Sequence, residues 1–331
     1  MNFNAIILNK SETLPFNASI AQVSQQELMQ QDADTLIKID YSTLNYKDAL
    51  ALTNSNPVVR KWPMIPGIDG VGTVVESKNN QFQIGQKVVL NGWGVGETHW
   101  GCLAQYAYLK SEWLIPLPAP ISVWQAIALG TAGYTAALCV LKIMQHGVKP
   151  NDGSILVTGA TGGVGSIAIA LLAKNGYHIT ATTGKAQEKA YLERLGATTI
   201  IDRQAFSQAG KALQKEQWVA AVDVSGSHTL ANICAQTYYG GIVTACGLAQ
   251  GLDFPANVAP FILRGITLAG IDSVMAPKQA RLQAWAFLAE HLDLTLLDDI
   301  AQTITLSQSF DKAKNIMAGQ VKGRFVVDVN Q

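Results

Sequence analysis

Seven residues, Gly159-Ala160-Thr161-Gly162-Gly163-Val164-Gly165, constrain the fold more than any other part of the chain. They follow the apolar run Ser154-Ile155-Leu156-Val157-Thr158 and open the helix-capable run Ser166-Ile167-Ala168-Ile169-Ala170-Leu171-Leu172-Ala173-Lys174. A strand-to-helix turn is predicted there. Glycines let such a turn adopt positive φ and bring the main chain close to a dinucleotide pyrophosphate. That charge then meets the free N–H groups and the positive dipole end of the helix. The spacing, G-x-x-G-x-x-G, is looser than the strict dinucleotide fingerprint. The segments that follow strengthen the reading. Strands predicted at 155–158, 178–183, 198–202, 218–224 and 241–246 alternate with helices near 164–174, 187–195, 206–215 and 227–236. That alternation predicts an α/β fold with a doubly wound parallel sheet of Rossmann type.

The N-terminal third reads differently. Apolar, β-prone runs at 5–8, 35–41, 72–76 and 87–90 are separated by Gly, Pro and Asn turns, which predicts an antiparallel, partly closed sheet. Pro116, Pro118 and Pro120 then mark a boundary before a helix that begins near Val123. Beyond the doubly wound region come 260–264, 266–271 and an amphipathic helix at 277–291, and the tail 321–329 is β-like again. Two domains are predicted: 1–121 completed by 292–331, and 122–291.

The 331 residues carry zero formal net charge and only 15% charged side chains, with no basic run or acidic tail. Extensive burial is expected, nucleic-acid or anionic-membrane partners are not, and a small-molecule partner is. The apolar stretch 126–144 is interrupted by Gly130, Thr131, Gly133, Thr135 and Lys142 and reads as a buried helix. Cys102, Cys139, Cys234 and Cys246 lie far apart, without a C-x-x-C pair or a leader-like start, so reduced thiols and a cytoplasmic location are expected.

The second strand of the doubly wound region decides the cofactor. An NAD site calls for a carboxylate there to accept from the ribose 2′-OH, but the chain offers Thr182-Thr183-Gly184-Lys185. Lys185 and the Thr183 hydroxyl suit a 2′-phosphate, and Arg203, just past the third strand, either joins them or faces solvent. NADPH is the expected cofactor.

Several further segments carry a resemblance. They are 42–50 (Ser-Thr-Leu-Asn-Tyr-Lys-Asp-Ala-Leu), 63–70 (Pro-Met-Ile-Pro-Gly-Ile-Asp-Gly), 92–97 (Gly-Trp-Gly-Val-Gly-Glu), 130–136 (Gly-Thr-Ala-Gly-Tyr-Thr-Ala) and 271–274 (Ile-Asp-Ser-Val). Together they resemble the zinc-free medium-chain dehydrogenase/reductases, and among these the YhdH/AcuI-type acrylyl-CoA reductases, often labelled quinone oxidoreductases. The likeness runs from Asn45 to the Lys322-Gly323-Arg324 tail. It implies a GroES-like, partly closed β-barrel catalytic domain, a Rossmann domain, a cleft between them and a homodimer. Carried over by position, it implies cofactor contacts at Tyr46, Thr161, Gly162, Gly163, Val164, Thr183, Gly184, Lys185, Arg203, Leu248, Ile262 and Ser273. Gly319 stands where relatives carry a polar amide, so the side-chain contact implied there is absent.

Zinc enzymes of the same superfamily surround the ion with a Cys and a Gly-His-Glu segment. This chain has Asn45 and Gly67-Ile68-Asp69 at those places, and no metal is expected. Without a Lewis acid, adding hydride to an activated C=C is easier than oxidising an alcohol, because only an enolate must be stabilised and then protonated. The expected reaction is NADPH-dependent reduction of acrylyl-CoA to propanoyl-CoA. Catalytic candidates are Tyr46, Asn45 and Arg324. Tyr46 either donates to the reacting carbonyl or packs against the nicotinamide while water supplies the proton; Lys47 and Asp48 would orient the same loop. Arg60, Lys61, Arg264 and Arg324 are candidate partners for the CoA phosphates, and Trp93 and Trp100 for the walls of the pantetheine channel. Two other readings use the same residues: reduction of quinones or small enals, and binding of NADPH without turnover.

Overall fold

The computed structural model describes all 331 residues, which form two compact units. The first comprises 1–131, 274–282 and 297–331, and the second 132–273 and 283–296.

In chain order, β1 (Asn2–Asn9) and β2 (Asn17–Ser24) pair antiparallel as a separate two-stranded sheet, followed by the short α1 (Gln25–Leu28). Next come β3 (Thr35–Leu44), α2 (Tyr46–Thr53), β4 (Asp69–Ser77), β5 (Lys87–Asn91), β6 (Tyr106–Leu109) and β7 (Ile115–Pro116). The long α3 (Val123–His146) precedes the alternating region. That region holds β8 (Ser154–Val157), α4 (Gly163–Lys174), β9 (His178–Thr183), α5 (Lys189–Leu195), β10 (Thr199–Asp202), β11 (Trp218–Asp223), α6 (Ser227–Gln236), β12 (Thr237–Ala245), α7 (Ala259–Arg264) and β13 (Thr267–Gly270). The chain closes with α8 (Lys278–His291), α9 (Leu297–Ile300), β14 (Ala301–Thr305), α10 (Ser309–Met317) and β15 (Arg324–Asp328).

In the second unit the six-stranded sheet runs β10-β9-β8-β11-β12-β13, and every pair is parallel. Numbered within the unit, that is the order 3-2-1-4-5-6 of a doubly wound dinucleotide-binding sheet. The fold is the α/β class expected. Its β-strands are buried on both faces, as a parallel sheet covered by helices requires: Ile155, Leu156, Val157, Ala220, Ala221, Val222, Ile242 and Val243 are all inaccessible to solvent.

In the first unit a seven-stranded, mainly antiparallel sheet runs β14-β15-β3-β4-β5-β7, with β6 paired to β3. The tail returns as expected, since β15 pairs with β3, bringing Phe325 opposite Leu44. Ile37, Ile39, Leu44, Val88, Leu90, Phe325 and Val327 share one core with Ala49 and Leu52 of α2 and Ala313 of α10.

Two local expectations are corrected. Residues 206–215 are not a helix. Asn232 Nδ2 donates to the carbonyls of Phe206 and Gln208 at 2.9 and 2.7 Å, taking the acceptors a helix would use, and Gly210 packs directly on the Asn232 side chain. Tyr46, Lys47 and Asp48 are not loop but the first turn of α2, because the Asp48 carboxylate reaches back to accept from the backbone N–H of Asn45 at 2.8 Å. Helix α3 has the length and hydropathy of a membrane span, yet 72% of its most apolar window is buried inside the protein. It is a core helix, broken at Gly130, where φ is 46° and ψ −153°.

Candidate functional sites in the two units

In the second unit the glycine turn sits where its sequence placed it, between β8 and α4, at the point where the strand order reverses. Gly159 has φ +54°, and a Cβ there would strike Val224; a Cβ on Gly165 would strike the Gly159 carbonyl. Gly162 caps α4 without a side-chain acceptor, so the helix presents main-chain N–H groups and its positive end to a ligand. Asp223, at the end of β11, is buried and accepts from Thr158 Oγ1 at 2.7 Å and from the Gly226 N–H at 2.8 Å. Burial pushes its carboxyl pKa up, while these hydrogen bonds oppose the shift. Asp223 locks the adjoining turns and is not aimed at a ligand.

At the end of β9, Thr183 is buried and its hydroxyl accepts from the Lys185 N–H at 3.0 Å. The Arg203 side chain lies against the Cα of Gly184, and a side chain at that position would displace it. Burial, and then the neighbouring Arg203 cation, draw the Lys185 ammonium below its usual pKa against the pull of Glu188. Thr183, Lys185 and Arg203 thus stand around Gly184 at the end of β9, with no carboxylate in the NAD position. This donor set fits a ribose bearing a 2′-phosphate. Leu248 and Ile262 are exposed apolar side chains, 50% and 73% accessible, and Ser273 is partly buried.

In the first unit the centre is a residue that shows in the sequence only as the replacement of a zinc ligand. Asp69, wholly buried, begins β4. Its Oδ2 accepts from Thr43 Oγ1 at 2.7 Å and from Asn45 Nδ2 at 2.8 Å, and its Oδ1 accepts from Asn91 Nδ2 at 2.7 Å. Both oxygens lie 3.0 Å from the Thr131 N–H, freed by the break at Gly130. Arg324 Nη2 stands 3.6 Å away. Asp48 is a second buried carboxyl nearby. It accepts from the Asn45 N–H and, at 3.1 Å, from the Ile68 N–H. Burial, joined by the like charge of Asp69, raises its pKa to about 7 against these hydrogen bonds.

This arrangement corrects two expected roles. Asn45 Nδ2 faces Thr43 Oγ1, Asp48 Oδ2 and Asp69 Oδ2 at 2.7, 3.2 and 2.8 Å, so neither amide hydrogen remains to polarise a substrate carbonyl. Arg324 is only 4% exposed; it donates to the Leu129 carbonyl and, at 3.4 Å, to Asn45 Oδ1, so it is not a surface cation for CoA phosphates. Arg264 is likewise engaged. It donates to the carbonyls of Ala235 and Gln214 at 2.7 and 2.6 Å and pairs with Glu216. Arg60 and Lys61 are exposed. Trp100 packs on the cores of its unit and donates to the Pro63 carbonyl. Tyr46 differs from its neighbours: it is 45% exposed and its hydroxyl has no partner in the protein. Lys47 pairs with Glu97 at 2.7 Å.

No group of three or more His, Cys, Asp or Glu side chains stands in metal-binding array. At the zinc-ligand positions Asn45 and Asp69 bind each other and Ile68 offers no donor, so the residues do not fit a catalytic zinc.

A doubly wound nucleotide-binding unit and a β-rich unit built around a buried polar hub define a two-unit dehydrogenase or reductase. The alcohol dehydrogenase GroES-like domain model matches 31–119, and the zinc-binding dehydrogenase model matches 163–290. The chain is 45% identical over 313 residues to the probable acrylyl-CoA reductase AcuI of Escherichia coli K12, covering 95% of this chain and 96% of that protein. It is 44% identical over 330 residues to the acrylyl-CoA reductase AcuI of Ruegeria pomeroyi, covering 99% of each. It also matches the crystal structure of the yhdH oxidoreductase from Salmonella enterica in complex with NADP, with a TM-score of 0.95 and 44% identity over 99% of both chains. The chain belongs to the AcuI/YhdH family of medium-chain dehydrogenase/reductases.

Proposed function

We propose that the protein reduces the activated C=C of acrylyl-CoA to propanoyl-CoA with NADPH and without a metal. The observation that carries this reading is the pairing of whole-chain identity to acrylyl-CoA reductases with the Lys185–Arg203 cation pair, which favours a 2′-phosphorylated nucleotide. The second unit acts as the Rossmann domain and the first as the catalytic domain, with 122–131 and 274–282, expected in the Rossmann domain, belonging to the catalytic one. Thr161, Gly162, Gly163 and Val164 hold the diphosphate through main-chain N–H groups. Thr183, Gly184, Lys185 and Arg203 hold the 2′-phosphate, and Leu248, Ile262 and Ser273 line the nicotinamide. When bound, NADPH supplies a hydride to the substrate's β-carbon.

The negative charge that develops on the thioester oxygen then needs a donor. With the Asn45 amide hydrogens engaged, the Tyr46 hydroxyl fills that role, and a proton drawn from solvent is added at the α-carbon. Asn45, Asp69 and Arg324 hold the N-terminus of α2, and Tyr46 with it, in place. The exposed Arg60 and Lys61 meet the CoA phosphates. The enzyme works as a cytoplasmic homodimer, paired through the 266–274 edge of the parallel sheet. Spectrophotometry of NADPH oxidation tests the reaction. Turnover with acrylyl-CoA, and little with NADH or a simple quinone, is expected; turnover with the quinone alone would replace this reading with a quinone reductase.

A further inference from the structure

Trp93 holds a conformation that its side chain disfavours. Its φ is 60°, in the left-handed region, within a glycine-rich turn, and its indole Nε1 is buried without a hydrogen-bond partner. Strain and an unsatisfied buried donor in one residue persist only where the surroundings impose them. Packed on this residue is Arg281, on α8, which is 3% exposed and stacks its guanidinium 4.2 Å from the centre of the Trp93 ring. The same guanidinium donates to three main-chain carbonyls: Ala276 at 3.0 Å from Nε, Asn91 at 2.5 Å from Nη1 and Val274 at 2.6 Å from Nη2. Val274 also accepts from the Trp93 N–H at 3.0 Å. Asn91, gripped by its carbonyl, is the residue whose side chain donates to Asp69.

We infer that Arg281 is a positioning residue for the cofactor, clamping Trp93 and the strap 274–276, which continues directly from Ser273, into one rigid piece tied to the Asp69 hub. The inference rests on the reading of Ser273 as a nicotinamide contact. A guanidinium suits the task because its planar fork reaches three acceptors while its face covers an aromatic ring, neither of which an ammonium can reproduce.

Binding of NADPH to the full-length protein without substrate, followed by the change in nucleotide fluorescence, tests the clamp. Arg281→Lys should raise the Kd for NADPH about tenfold or more, as expected for lost charge-assisted hydrogen bonds. Arg264→Lys removes a similarly carbonyl-bound arginine of the other unit and should lower the melting temperature while leaving Kd within about twofold. If Arg281→Lys fails to fold, Trp93→Leu decides, because it removes the stacked ring and leaves the carbonyl bonds; it too should raise Kd. A Kd within about twofold of the parent in the folded variants, with only the melting temperature lowered, would make Arg281 merely structural and overturn the inference. Failure of the parent to reduce acrylyl-CoA would defeat the proposed reaction, but the Kd comparison would still decide the clamp.

Discussion

Asn45 Nδ2 and Asp69 Oδ2 lie 2.8 Å apart, a charge-assisted hydrogen bond joining the N-cap of α2 to the first residue of β4. It fixes the amide with its hydrogens turned inward, so the one free hydroxyl at that end of the helix is Tyr46's. Asp69→Asn would replace one acceptor oxygen by an amide NH2 that faces donors, either Thr43 and Asn45 on one side or Asn91 and Thr131 on the other, and would leave Arg324 buried without its anion. We predict a loss of about 3–5 kcal/mol, read from urea unfolding. Loss of less than about 1 kcal/mol would contradict the hub.

Tyr46→Phe leaves α2 intact, since the hydroxyl bonds nothing in the protein. If that hydroxyl stabilises the developing enolate, kcat should fall on the order of 10²–10³ with little change in melting temperature. An unaltered kcat would assign Tyr46 to cofactor packing and the proton to water.

Lys185 and Arg203 are distinguished by which nucleotide they affect. Replacing either with Ala removes a charge-assisted contact worth about 1.5–3 kcal/mol, so KM for NADPH should rise about 10- to 100-fold while KM for NADH stays nearly constant. Equal effects on both nucleotides would place the two cations outside the 2′-phosphate site.

Asp48 predicts a pH dependence of unusual sign. Its carboxyl titrates near 7 when folded, against 3.8 for a free side chain, so the folded state binds the extra proton between those values. Its contribution to stability is therefore fully present below about pH 4 and is lost as pH rises through about 7. Chemical denaturation across that window should show Asp48→Asn with a lower baseline stability but a smaller decline from pH 5 to pH 8 than the parent. An unchanged slope would show that Asp48 is ionised throughout.

Gly130 is where α3 breaks, and a Cβ there would meet Arg324 Nη2 and Asp69 Oδ2. Gly130→Ala should cost about 1–3 kcal/mol from positive φ alone, and more through displacement of Arg324. Melting temperature measures it, and an unchanged value would contradict the crowding.

The doubly wound unit was legible in the sequence because its signals are local: a glycine turn, apolar runs of strand length, helices between them. The cofactor preference was legible for the same reason, since Thr183, Gly184 and Lys185 are consecutive. The hub was not. Asp69 gathers Thr43, Asn45, Asn91, Thr131 and Arg324 from separate elements, and nothing near Asp69 in sequence marks it as more than a substitute for a zinc ligand. Arg324 reads in the sequence as a catalytic candidate or a partner for CoA phosphates, because an isolated arginine in a tail carries no sign that a helix break will offer it the Leu129 carbonyl. The failed helix at 206–215 has the same cause, an asparagine on α6 that captures its carbonyls.

Conjugate reduction requires hydride to reach the β-carbon of the thioester. Turnover of acrylyl-CoA with NADPH deuterated at C4, followed by NMR of the propanoyl-CoA formed, tests it directly. Deuterium at the β-carbon and a solvent-derived proton at the α-carbon are expected. Deuterium at the α-carbon, or at a carbonyl carbon reduced to aldehyde or alcohol, would contradict it.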